Sequence, residues 1–450
     1  MRNEIADVLK SRGADYIEIR IEENQASRLV YRGTRLEEVG RTSSLGGNVR
    51  ALVKGGWGFV SFNNTHNLKD SVRLAIKAAE LTGKEDFRLS PTEPVVDVVA
   101  VPEKGPPVSL ASKKQLLDEY NDIILSTPEI RTSNIGYSDG QKKTIFASSE
   151  GTYIEQTRAD INLRLTAIAA KNGEVQQVGL SIGSLGDFSA VQDLHGKVED
   201  LSQRAVALLS ATQAKGGEYT VVLDPVLAGV FAHEAFGHLS EADHVYENQK
   251  LREIMVLGRK FGDKHLDIVD GAAVPGLRGS YKYDDEGVPA TKTYLIREGV
   301  LESRLHSRET AAKMGEKTTG NARAINYSFP PIVRMTNTYI EPKTLSFKDV
   351  ISGIKEGIYA RDWYGGTTSL EMFTFSAGEA YMIRKGKVEE LLRPVVLSGN
   401  VFETLGNIDA VGNDLEMNQG GGCGKRGQTP LPVSNGSPHI RISRCLVGGG

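Results

Sequence analysis

Cysteine is scarce in this chain: Cys423 and Cys445 are the two in 450 residues. Two thiols cannot build a disulfide framework, and such sparing use fits a reducing cytoplasm. Long hydrophobic runs are missing too. No apolar stretch approaches the ~20 residues needed to span a bilayer, and Met1-Arg2-Asn3-Glu4-Ile5 lacks the apolar core of a secretory signal. No membrane partner is expected. Nor is there an excess of basic charge. The formal net charge of −3 argues against nucleic acid as a partner, because phosphate binding needs a basic surface. Low-complexity tracts are absent, and 39% hydrophobic with 25% charged residues describes an ordinary soluble protein with packed cores.

What is present is enough chain for more than one domain. Residues 1–213 read as an N-terminal α+β domain. A short helix leads into strands in which apolar and polar residues alternate, over Tyr16–Glu22 and much of Ser27–Val39, with turns at Gly33-Thr34 and Gly55-Gly56. Helical spacing follows at His66–Leu81 and Lys114–Leu125, around an extended connector at Pro91–Val108. A second strand-rich run, Ile130–Ile182, precedes a helix at Leu194–Leu209. Gly33, Thr34, Glu37 and Gly55 recur as Gly151, Thr152, Glu155 and Gly173, each 118 positions later. That match fits a degenerate internal duplication, or similar hairpins without common origin.

The polar stretch Gln213–Gly217 marks the start of a second domain, 214–450. Its pieces, among them Tyr219–Leu223, Thr293–Ile296, Ile332–Ile340, Ala380–Ile383 and Val395–Leu397, predict an antiparallel sheet or barrel-like core around one helix. Asp224-Pro225 supplies that helix with an N-cap and a first-turn proline. Glycine is dense at Gly420–Gly424 and Gly448–Gly450, where backbone can approach a site closely. The fold class is α+β.

The helix carries His233-Glu234-Ala235-Phe236-Gly237-His238. Two imidazoles flanking a carboxylate is the pattern of a metal hydrolase, but here the histidines are five residues apart. On a regular helix, positions four apart are offset by about 40° and positions five apart by roughly 140°. A shared metal therefore requires a deformed helix, and Gly237 is the expected place for an end, bulge or kink. A catalytic zinc takes three protein ligands and leaves a position for water. His233 and His238 supply two, and Glu234 sits where a general base would. From chemistry alone the third ligand is divided between Cys423, in a glycine-flanked loop, and Glu241. The competing reading is a chance match on a buried helix, although unpaired buried imidazoles are costly.

These residues resemble the TldD branch of the TldD/PmbA family of zinc metallopeptidases, through essentially all of 217–450. His233–Asp243 is similar to the family's H-E-A-x-G-H-x-x-E-x-D segment. Asp284–Gly287, Thr319–Asn321, Arg334–Thr338, Val411–Asp414 and Cys423–Gln428 resemble further family segments in the same order. The resemblance implies a Zn2+ held by His233, His238 and Cys423, with Glu234 as catalytic base and Glu241 behind the metal or beside the substrate. It implies a peptide substrate, an active site shared with a PmbA-type paralogue in a heterodimer (or a homodimer), and a protease of unfolded or extended chains. Asp285, Arg334 and Asn337 are candidate substrate-binding residues, the alternative being structural roles, in an acidic turn at Asp284–Gly287 and as hydrogen-bonding residues of the Arg334–Thr338 strand. A small-molecule zinc amidase is one alternative. Another is a non-enzymatic regulatory subunit of a toxin-antitoxin or gyrase-modulating system.

Overall fold

The computed structural model describes residues 2–83, 87–100 and 107–449. Positions 101–106 of the expected connector, and Gly450, lie outside them. Helix α1 (Arg2–Val8) leads into a hairpin of β1 (Tyr16–Arg32) and β2 (Arg35–Val53), paired from Tyr16–Leu52 to Arg32–Arg35. β3 (Gly56–Phe62) and helix α2 (Leu68–Thr82) follow, then the short edge strand β4 (Val96–Val99). The second half repeats the order: α3 (Leu110–Ser126), β5 (Ile130–Ser148), β6 (Tyr153–Lys171), β7 (Glu174–Ser184) and α4 (His195–Leu208). β1 and β5 meet antiparallel at the centre of one sheet, with β2 and β3 outside β1 and with β6 outside β5. β4 and β7 both pair with β6.

The residues matched at 118 positions hold equivalent turns. Gly33 and Gly151 sit between the long strands, Gly55 and Gly173 after them, and all four have positive φ. Lys54 and Asn172 precede the second pair of glycines in the left-handed region, at φ 45° and 54°. Helix α2 buries Leu68, Val72 and Ala75 against Ile17, Ile19, Val49 and Ala51, whereas α3 and α4 cover Ile135, Leu163 and Leu165 with Leu117, Tyr120 and Val198.

Beyond Gly217 the architecture changes. Strands Glu356–Ser369, Gly217–Leu223, Ile440–Gly449, Val395–Asn400 and Met372–Arg384 pair in that order, and the last closes on the first. This is a closed five-stranded barrel. The expectation of an antiparallel core needs one correction, because Gly217–Leu223 runs parallel to Glu356–Ser369. A parallel pair requires a long crossover rather than a hairpin, and the intervening chain forms the motif helix and most of a second, six-stranded sheet. That sheet contains Ile268–Asp270, Asn337–Ile340 and Ser434–Ser437. The predicted strand Ile332–Ile340 is split in two, since Thr336 gives its N–H and hydroxyl to Asp270.

The motif helix lies between barrel and second sheet. Phe231 packs edge-on to Phe373 and Phe375 of the barrel. On its other side a Cβ on Gly229 would stand 2.7 Å from Gly436 N, an approach only glycine permits. Buried ion pairs join the N-terminal sheet to this half: Arg50 bridges Glu18 and Glu286, and Arg20 reaches Asp285. Among the described residues no helix is long and apolar enough to cross a membrane.

Candidate metal centre

The Asp224 side chain accepts a hydrogen bond from Leu227 N–H, and Pro225 opens the helix as expected. From Pro225 to Phe231 it is a regular α-helix, but Ala232–Gly237 forms a π-turn in which His238 N–H donates to His233 C=O. The wider turn places residues five apart one above the other. It brings the two rings to 5.4 Å between centroids. The helix is deformed, as the spacing demands, though not by a kink at Gly237. That residue has ordinary helical angles, φ −56° and ψ −48°. Its missing side chain has another use, for a Cβ there would lie 2.0 Å from Met335 Sδ.

Cys423 arrives on a hairpin of Gly422–Lys425 and Gln428–Pro432. Its Sγ lies 3.6 Å from His238 Nε2, and one donor atom from each of His233, His238 and Cys423 falls within 4.8 Å of the others. The hairpin is clamped from several sides. Arg334 donates to the carbonyls of Cys423 and Gln428 at 2.8 and 3.2 Å. Arg278 donates to Gln419 and Gly421 carbonyls while forming a fork with Asp160 of β6. Asn162 and Ser181, also from the N-terminal sheet, donate to Gly420 C=O. Gly420 is so close to β7 that a Cβ would meet Ser181 C=O at 2.5 Å.

The electrostatics fit a cation. Burial pushes the Cys423 thiol up, but His233 and His238 outweigh it and bring the pKa down to about 5. Burial pushes His238 down, against the stronger pull of Glu241 and Cys423, which leaves it well above the ordinary imidazole value. Glu241, fully buried, accepts from His238 Nδ1 at 3.0 Å and so leaves Nε2 turned towards Cys423. Lys425 lies 3.0 Å from Glu241 and 2.7 Å from Asp243. A cation bound here would take the place of the protons that Cys423 and Glu241 now draw onto the two imidazoles. His233 Nδ1 is buried without a hydrogen-bond partner among the described residues. Two imidazoles and a thiolate suit zinc chemically.

Glu234 is the most open group of this cluster. Its side chain is 34% exposed, against 19% for His238, and its Oε2 lies 3.8 Å from His238 Nε2. Solvent therefore reaches the cluster from the Glu234 side.

The other predicted contacts fall elsewhere. Glu241 faces His238 and Lys425, with no exposed surface for a substrate. Arg334 and Asn337 are completely buried; the first secures the cysteine hairpin and the second spans Gly271, Gly279 and Ser280. Asp285 accepts from Ala324 N–H and pairs with Arg20, so it joins the two halves of the molecule. Arg334, Asn337 and Asp285 are thus engaged in supporting contacts rather than turned to a substrate, and Glu241 takes the first of its two expected places, behind the metal donors. Reasoning from sequence also missed Lys425, Arg278, Asp160, Asn162 and Ser181. Lys425 had a signal, its place two residues from Cys423; the rest had none, because their nearness arises only when the N-terminal sheet docks.

Comparison with known proteins identifies the family. The family profiles of PmbA/TldA metallopeptidases match as domain 1 at residues 17–80, central domain at 103–209 and C-terminal domain at 216–449. A metalloprotease from Synechocystis is 48% identical over 441 residues, covering 97% of this chain and 95% of that protein. A zinc metalloprotease TldD homologue from Saccharolobus solfataricus is 31% identical, with 97% of each chain covered. The crystal structure of TldE from Thermococcus kodakarensis shares the fold, with a TM-score of 0.77 and 19% identity over the full length of both chains. A mid-chain histidine pair, a distant cysteine and relatives that match from end to end lead to one assignment: the chain belongs to the PmbA/TldD family of metallopeptidases.

Proposed function

We propose that this chain is a zinc peptidase acting on unfolded or extended peptides, with His233, His238 and Cys423 as the metal ligands and Glu234 as general base. One observation carries the reading: three zinc-type donors from segments 185 residues apart converge, and the carboxylate beside them is the group open to solvent. Zinc, when bound, supplies Lewis-acid polarisation of the scissile carbonyl and of water. Glu234 takes a proton from the attacking water and passes it to the departing amine nitrogen as the C–N bond breaks. Glu241 keeps His238 in the tautomer whose Nε2 faces the metal. A solvent-open base beside the metal donors favours catalysis over a purely regulatory role.

The test is metal content together with proteolysis. The purified chain should carry one zinc and cleave a denatured protein, and a chelator should abolish cleavage that added zinc restores. Glu234→Gln should retain zinc and lose cleavage. A chain that holds zinc yet is active only on small amides would instead support the amidase alternative.

A further inference from the structure

We infer that Lys425 is a positioning residue for the metal centre: it locks the hairpin that carries the thiolate onto the segment that carries the imidazoles. The inference rests on the metal reading above and adds a residue which that reading does not use.

The two halves of the centre come from remote parts of the chain. The histidine segment continues into Glu241 and Asp243, while Cys423 and Lys425 share one short strand. Lys425 is 3% exposed and extends its ammonium across the gap. It donates to Asp243 Oδ1 at 2.7 Å and to Val333 C=O at 2.9 Å, and it stands 3.0 Å from Glu241 Oε2. An ammonium has three protons, and here three acceptors surround it. The same Glu241 oxygen receives His238 Nδ1 at 3.0 Å. A continuous path thus runs from the imidazole, through Glu241, to the ammonium and back along two residues of backbone to the thiolate. Removing Lys425 deprives the carboxylates of Glu241 and Asp243 of the buried cation that both now contact. Glu241 must then shift, and His238 and the Cys423 hairpin lose their common anchor.

A second ion pair joins the same two segments and gives a matched control. Arg426 reaches Glu247, but both side chains are about half exposed. Water screens that pair, and it touches no ligand.

The experiment compares zinc affinity, by competition with a chromophoric chelator, in the full-length wild type, Lys425→Met, Lys425→Met/Asp243→Asn and Arg426→Ala. Each protein is also loaded with cobalt(II), whose thiolate charge-transfer band reports the sulfur bond directly, and each metal-free form is melted to verify folding. Lys425→Met should bind zinc roughly 10–100-fold more weakly and show a weakened or displaced cobalt band. The double variant, with one carboxylate neutralised, should recover part of that loss, and Arg426→Ala should match the wild type. If Lys425→Met fails to fold, Asp243→Asn alone becomes the test, with a several-fold weakening expected. Wild-type affinity and spectrum in a folded Lys425→Met or Asp243→Asn protein would overturn the inference and leave the zinc reading standing. A wild type that takes up neither metal would overturn both.

Discussion

The two ends of this molecule use β-structure differently. The N-terminal sheet is regular: its strands reach 19 residues, its turns recur at a fixed offset, and its helices cover it in an ordinary amphipathic way. The region after Gly217 is interrupted by a π-turn, a split strand and one parallel pair in an otherwise antiparallel barrel. The chemistry-bearing residues all lie in the irregular part. A regular helix cannot bring residues five apart to one ion, and a regular strand cannot bring a tail cysteine to a mid-chain histidine without close backbone passage. Regularity supplies stability, while departures from it create the centre. The regular part still matters to the site, because Asp160, Asn162 and Ser181 hold the loop that precedes Cys423.

That contrast can be broken at several points. The largest effect should come from Glu234→Gln, which leaves every packing contact in place. Loss of a general base costs on the order of 10²–10⁴-fold in turnover, measured as peptide hydrolysis at unchanged zinc content. A loss of zinc in parallel would show Glu234 to be a ligand instead.

Gly237→Ala comes next. Its new methyl meets Met335 Sδ inside the π-turn, and overpacking of this kind costs about 1–3 kcal/mol, read by chemical denaturation. Met335→Ala in the same protein should recover part of the loss. No recovery would mean that the glycine serves its backbone after all.

Asn162→Ala tests whether the regular sheet supports the irregular site. Two carbonyls, of Ile182 and Gly420, lose a donor, at about 1 kcal/mol for each such bond. Zinc should dissociate faster even though the residue belongs to the N-terminal sheet; an unchanged rate in a folded variant would confine the site to the C-terminal half.

The last effect is read as a slope against pH rather than as a single loss, and concerns the cap of the motif helix. Burial and the neighbouring Asp362 push the Asp224 carboxyl from 3.8 up to about 7. The folded state therefore keeps a proton that the unfolded chain releases, and stability from this group falls as pH rises from about 4 to 7. The slope is at most about 1.4 kcal/mol per pH unit. Asp224→Asn keeps an oxygen for Leu227 N–H and should flatten that slope in pH-dependent denaturation. An identical slope in the variant would place the titration elsewhere.

Much of the regular half is legible from residue order. Alternation marks the long strands, and the glycine turns fall where φ is positive, because both signals are local. Expected helices at His66–Leu81 and Leu194–Leu209 differ by one or two residues from those observed. Around the centre, His233, Glu234 and His238 are legible as a cluster, and their spacing alone demands a distorted helix. Arg334 and Asn337 stay undecided between ligand and structural roles, because a polar residue in a strand pattern does not reveal whether its partners are solvent, ligand or buried carbonyls. Burial decides that, and burial depends on what packs above.

By itself, the sequence determined the donor types, the carboxylate between them, the capped helix that carries them and the alternation of the N-terminal strands. All of these are properties of neighbours along the chain. Only the tertiary structure decided that the wide turn lies at Ala232–Gly237, that Cys423 meets the histidines, and that Lys425, Arg278 and the N-terminal sheet hold it there. Those contacts span scores to hundreds of residues, and no local pattern encodes them. They form when the barrel closes and the N-terminal sheet docks, which brings buried charges to partners their sequence positions do not disclose.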